Sequence, residues 1–123
     1  MVEFKKILVV DDDKVFLRLV EYDLTKNGFD VITAPDGEMG VLLAKTQNPD
    51  LILLDINMPD LEGGDVVAML EANPETQNIP IIFVTALLTK HEEERRNNMM
   101  GKHSFFSKPY NLQRLLEEID KHI

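Results

Sequence analysis

Short continuous apolar runs alternate along this chain with longer stretches whose apolar residues recur at helical spacing. The runs Ile7–Val10, Val31–Ala34, Leu51–Leu54 and Ile79–Val84 have the length and composition of strands buried on both faces. A fifth, shorter strand is expected around Ser104–Ser107, with Phe106 in the core. From Lys14 to Asn27 the pattern sets Phe16, Leu19, Val20 and Leu24 on one helical face, and Gly28 supplies a stop. Pro35-Asp36-Gly37 turns the chain into a helix carrying Met39, Leu42 and Leu43, which Asn48-Pro49-Asp50 ends. A short helix through Val66, Val67 and Leu70 stops near Asn73-Pro74. A fourth helix, Thr89 to Met100, opens with the capping pair Thr89 and Glu92, and Glu92 can pair with Arg95 and Arg96. Its middle is nearly all polar, so it is expected to be the most mobile helix, with Met99 and Met100 either filling gaps in the core or forming an adaptable partner surface. The last helix, Asn111 to Ile123, has an Asn cap and a face of Leu112, Leu115, Leu116, Ile119 and Ile123. Alternating strands and helices joined by right-handed crossovers make a three-layer α/β sandwich, and residues 1–123 are expected to form one domain.

Four of the apolar runs lead into residues suited to phosphate chemistry: Asp11-Asp12-Asp13, Asp55, Thr85 and Ser107-Lys108-Pro109. In an open parallel sheet the carboxyl ends of the strands form the ligand-binding edge, so residues distant in sequence converge there. Asp13, beside the first helix, is expected to be a helix cap or a solvated charge rather than to join such a site.

Composition narrows the partners. With 22 acids against 13 bases the formal charge is -9, a balance that repels phosphate backbones and anionic lipid surfaces, so no direct nucleic-acid or membrane binding is expected. No run approaches the roughly 18 apolar residues of a membrane span, and the chain reads as soluble and cytoplasmic. There is no cysteine, so a metal must be held by oxygen or histidine. His91, His103 and His122 show no ligand spacing, which leaves oxygen.

The segments Val9-Val10-Asp11-Asp12, Ala34-Pro35-Asp36-Gly37, Asp50-Leu51-Ile52-Leu53-Leu54-Asp55, Met58-Pro59-Asp60, Val84-Thr85-Ala86 and Lys108-Pro109 occur in fixed order across nearly the whole chain. In this arrangement the chain resembles the receiver domain of two-component response regulators. The resemblance implies a flavodoxin-like doubly wound (βα)5 fold with a parallel sheet of order 2-1-3-4-5. It implies a switch that takes a phosphoryl group from a phosphohistidine onto Asp55, catalyses its own phosphorylation and dephosphorylation, and changes its protein-binding face. The implied cofactor is Mg2+, held by Asp12 and Asp55 directly, by Asp11 partly through water, and by the backbone carbonyl of Asn57. Lys108 and Thr85 are implied to contact the phosphoryl group, and Phe105 to rotate inward when Thr85 moves. Pro109 is implied to follow a cis bond that fixes the loop of Lys108. Partners would be a sensor histidine kinase or phosphotransfer protein, met near the first helix and the loop after Asp55, and an unidentified downstream protein. A phosphorylation-dependent dimer is a further implied assembly.

Two departures stand out. Gly101-Lys102-His103-Ser104 occupies a stretch that is acidic in many relatives and contributes to a charged dimer interface there. Leu87 places a bulky apolar side chain where relatives control water access, so a long-lived phosphoryl group is expected. Two other readings stay open on the residues alone. Asp11-Asp12-Asp13-Lys14-Val15 fits the nucleophile motif of haloacid dehalogenase-type phosphohydrolases, although only helix-borne Glu117, Glu118 and Asp120 follow Lys108 as acids. A receiver-like module that binds proteins without being phosphorylated is the other.

Overall fold

The structure is a computed structural model that describes residues 4–86 and 104–123. The expected helix from Thr89 to Met100 lies outside the described residues, as do Leu87, His91 and Gly101-Lys102-His103. Strands β1 (Lys6–Val10), β2 (Asp30–Ala34), β3 (Leu51–Leu54), β4 (Ile81–Ala86) and β5 (Ser104–Lys108) alternate with helices α1 (Lys14–Lys26), α2 (Gly37–Gln47), α3 (Gly63–Glu71) and, after β5, α4 (Leu112–His122). The five strands form one sheet of order β2-β1-β3-β4-β5, all pairs parallel.

Each central strand is buried on both sides because its residues alternate between two cores. Ile7, Val9, Leu51, Leu53, Ile82 and Val84 pack with Phe16, Leu17, Val20 and Leu24 of α1 and with Leu115 and Ile119 of α4. Leu8, Val10, Ile52, Leu54, Ile81 and Phe83 face Val41 and Ala44 of α2 and Val66, Val67 and Leu70 of α3. This is why these runs read as continuously apolar: the central strands meet little water on either face.

The helices bury three of the four apolar residues expected on the inner face of α1, and in α2 the smallest residues. In α1 the buried set is Phe16, Leu17, Val20 and Leu24, and Leu19 is instead exposed. In α2, Met39 and Leu42 are exposed, Leu43 is partly buried, and the buried positions are Gly37, Gly40, Val41 and Ala44. Close packing is the reason. A Cβ built on Gly40 would lie 2.8 Å from both Cγ1 and Cγ2 of Val10, so the small residues set the approach of α2 to β1. β4 also begins two residues later than its apolar run, because Ile79 donates its backbone N–H to Thr76 in a turn and Pro80 has none to give.

Candidate functional site

Strand register brings the acids together. Val10 pairs with Ala34 on one side and with Leu54 on the other. The ladders then run on by one bond each: the Asp11 amide donates to the Ala34 carbonyl (3.1 Å) and the Asp55 amide to the Val10 carbonyl (3.0 Å). Asp11 and Asp55 therefore stand at the ends of neighbouring central strands. One carboxylate oxygen from each of Asp11, Asp12 and Asp55 lies within 4.8 Å of the others, with Asp11 and Asp55 buried and Asp12 exposed.

Asp13 is separate from this cluster. Its carboxylate accepts from the Val15 and Phe16 amides at 3.0 and 3.1 Å, capping α1. The Asp13 amide in turn donates to Asp11 Oδ1 (2.9 Å), so the helix start orients the buried acid. The Asn57 amide does the same for Asp55 Oδ1 at 3.2 Å, while the Asn57 side chain is exposed. Behind this loop, Gly63 packs so closely that a Cβ there would sit 2.8 Å from Ile56 Cα. The loop after Asp55 is further held where the Asp60 carboxylate accepts from the Gly37 and Glu38 amides at 3.1 and 3.0 Å. Burial acts the other way, but these backbone donors hold the Asp60 carboxyl below the usual range.

Lys108 closes the pocket. Register places it beside Ala86, and Ser107 beside Thr85, on the two last strands. Its Nζ lies 2.6 Å from Asp11 Oδ2 and 3.6 Å from Asp55 Oδ2. At 2.6 Å the ammonium and the buried Asp11 carboxylate form a close ion pair. Burial pushes the Asp11 carboxyl up to about 6, with Lys108 and the Asp13 amide pulling it down and the Asp55 charge raising it. The Lys108–Pro109 peptide bond is cis.

Thr85 is fully buried, and among the described residues its Oγ1 has no hydrogen-bond partner. A buried hydroxyl left unpaired is costly. Two residues back, Phe83 stacks on Phe105 of β5 with centroids 5.0 Å apart and an interplanar angle of 23°. Phe105 is partly buried.

The residues fit a hard dication. Near-octahedral Mg2+ with oxygens at about 2.0–2.1 Å has ligand oxygens roughly 3 Å apart when adjacent and roughly 4 Å apart when opposite. The three carboxylates, with oxygens within 4.8 Å of one another, come close to this spread, and acids crowded together in this way favour a cation. Asp11, Asp12 and Asp55 could therefore hold such an ion.

Sequence reasoning placed Phe16 in the core and saw no more in it. The structure puts its ring under the Lys108 ammonium, with Nζ 4.2 Å from the centroid. Only its place in the first turn of α1, directly after the acids, hinted at this. The acids Glu117, Glu118 and Asp120, which a hydrolase of the alternative type would need at a strand end, lie instead on α4. Glu118 is engaged there by Ser104 and His122, and the Ser104 hydroxyl leads in holding its carboxyl low.

Fold and site together define a flavodoxin-like α/β protein whose acidic pocket, at the carboxyl edge of the sheet, is closed by a lysine. The family model for the response regulator receiver domain matches residues 7–120, and the chain belongs to this family. It is 38% identical to the alkaline phosphatase synthesis transcriptional regulatory protein PhoP of Bacillus subtilis, over 86% of this chain and 43% of that protein. It is 32% identical to the polar-differentiation response regulator DivK of Brucella ovis, over 97% of this chain and 96% of the relative. The chain thus spans less than half of one relative and almost all of another. The structure of the chemotaxis protein CheY4 of Vibrio cholerae superposes with a TM-score of 0.87 at 26% identity, covering 98% of this chain and 100% of that one. Receiver domains are signalling switches of two-component systems; they bind Mg2+ through an acidic pocket and interact with histidine kinases and downstream effectors. Among the described residues, no helix is long and apolar enough to cross a membrane.

Proposed function

We propose that residues 1–123 form one cytoplasmic receiver unit that accepts a phosphoryl group on Asp55 from a phosphohistidine of a sensor kinase or phosphotransfer protein. The observation that carries this reading is the meeting of Asp11, Asp12 and Asp55 with the Lys108 ammonium at one sheet edge. A carboxylate oxygen of Asp55 attacks phosphorus in line, the phosphorus–nitrogen bond breaks, and the electron pair returns to the imidazole. Phosphoryl transfer asks little covalent chemistry of a protein beyond positioning and charge. Asp11, Asp12, Asp55 and the Asn57 carbonyl would hold Mg2+, which supplies positive charge to the phosphoryl oxygens. Lys108 gives a second positive charge, aimed by the Pro109 loop. Thr85 donates its free hydroxyl to the new group, and that movement opens space for Phe105 to turn inward, which changes the face shown to the downstream protein. Water attack on the acyl phosphate returns the resting state.

The donor would dock on α1, where Val15, Leu19 and Tyr22 are exposed at helical spacing beside the pocket. Incubation with acetyl phosphate and magnesium tests the chemistry. One phosphoryl group should be gained, located on Asp55 by peptide mass analysis, and absent from Asp55→Ala. No gain by the wild-type chain, or phosphate retained by Asp55→Ala, overturns the reading.

A further inference from the structure

Lys108 is held from three sides, and only two of them are acidic. Asp11 and Asp55 approach its ammonium at 2.6 and 3.6 Å. On the third side lies the face of the Phe16 ring, 4.2 Å from Nζ to centroid. Phe16 is 7% exposed and the lysine side chain 14%, so little water screens the contact. The negative face of an aromatic ring attracts a cation, and does so more strongly where water is kept out.

The ring is itself braced. Tyr110, two residues beyond Lys108, meets Phe16 edge to face at 5.9 Å and 89°. Its hydroxyl donates to the Asp23 carboxylate, two turns further along α1. Burial, reinforced by Asp23, raises the Tyr110 phenol well above its ordinary value, so it remains a donor. The chain after β5 is thereby tied to α1 at the hydroxyl and at the ring.

This matters because lysine is a compact charge on a flexible stem. Between two acids it is drawn toward the nearer one, and the nearer one is Asp11 rather than Asp55. A neutral aromatic face holds the ammonium without pairing its charge away. We propose that Phe16 is a positioning residue: its ring, braced by Tyr110 and Asp23, keeps the Lys108 ammonium between the two acids, preset for a phosphoryl oxygen on Asp55. It acts through Lys108 and does not touch the phosphoryl group. The role rests on the reading of Asp55 as phosphoacceptor.

The test compares Phe16→Leu, which keeps apolar bulk, with Phe16→Tyr, which keeps the aromatic face. In the metal-free protein, proton spectra should show the Lys108 ε-methylene signals shifted upfield by the ring in wild type and Phe16→Tyr, and near ordinary lysine positions in Phe16→Leu. With acetyl phosphate and magnesium, Phe16→Leu should be phosphorylated roughly tenfold more slowly, and Phe16→Tyr within about twofold of wild type. A Leu variant that reacts at the wild-type rate, or a Tyr variant as slow as the Leu variant, overturns the positioning role alone. A wild-type chain that gains no phosphoryl group overturns the underlying reading, and this role with it. If Phe16→Leu does not fold, Tyr110→Phe removes only the hydroxyl of the brace. A smaller slowing with a weakened ring shift supports the proposal there, and no change in either overturns it.

Discussion

Asp11 costs the resting protein stability that a bound cation would return. Its carboxyl titrates near 6 when folded, against an ordinary 3.8, so the metal-free folded state takes up a proton more readily than the unfolded chain. The sign follows: stability should fall as pH rises from about 4 to about 6, by roughly 2–3 kcal/mol, and then level off. Urea titrations without metal across that range should show the loss, and Asp11→Asn should flatten it. Thr85 offers a second test. Replacing its unpaired buried hydroxyl with the like-shaped side chain of valine should raise stability by about 1 kcal/mol. The same Thr85→Val change should abolish the movement of Phe105 ring signals on adding beryllofluoride and magnesium; a Phe105 response equal to wild type would count against the switch. At this scale the meeting of the acids and the lysine was legible, because Asp11 and Asp55 end buried strands and strand ends converge. Phe16 beneath the ammonium was not, since an aromatic at helical spacing reads as core and here it is core as well.

The helices were the harder elements to read, because periodicity marks an apolar face without saying which of two faces meets the sheet. In α2 the large side chains Met39 and Leu42 are exposed, and the close approach at Gly40 gives the buried place to the smallest residues. Gly40→Ala should therefore destabilise by about 1–3 kcal/mol, although alanine is the better helix former by about 1 kcal/mol. A shift of the urea midpoint downward, restored by pairing the change with Val10→Ala, is the expected result. In α1, Leu19 turns out with Val15 and Tyr22 instead of in with Phe16. If that stripe receives the phosphohistidine donor, Leu19→Glu should slow transfer from a phosphorylated kinase domain at least about tenfold, the loss expected from about 1.4 kcal/mol of contact. Phosphorylation by acetyl phosphate, which needs no docking, should be unchanged. The strands were legible to within two residues, β4 being the one displaced by the turn at Ile79 and Pro80.

For the whole molecule, the acidic balance of -9 and the pocket of three carboxylates point the same way: the folded chain repels anions except where a cation intervenes. Magnesium at about a hundred times its dissociation constant should stabilise the fold by roughly 2.7 kcal/mol, and Asp12→Asn should lose most of that gain in a thermal melt. The order 2-1-3-4-5 was expected from family resemblance rather than from spacing, since alternating strands and helices alone fit several parallel orders. That order also has a bearing on synthesis. The acids leave the ribosome on β1 and β3, near the middle of the sheet, whereas their ammonium rides on β5, which among the described strands lies at the edge and pairs with β4. A nascent or clipped chain lacking those last residues carries the carboxylates without the charge that completes them. The charge balance of the pocket therefore waits on β5 joining the sheet, after both acid-bearing strands have been made.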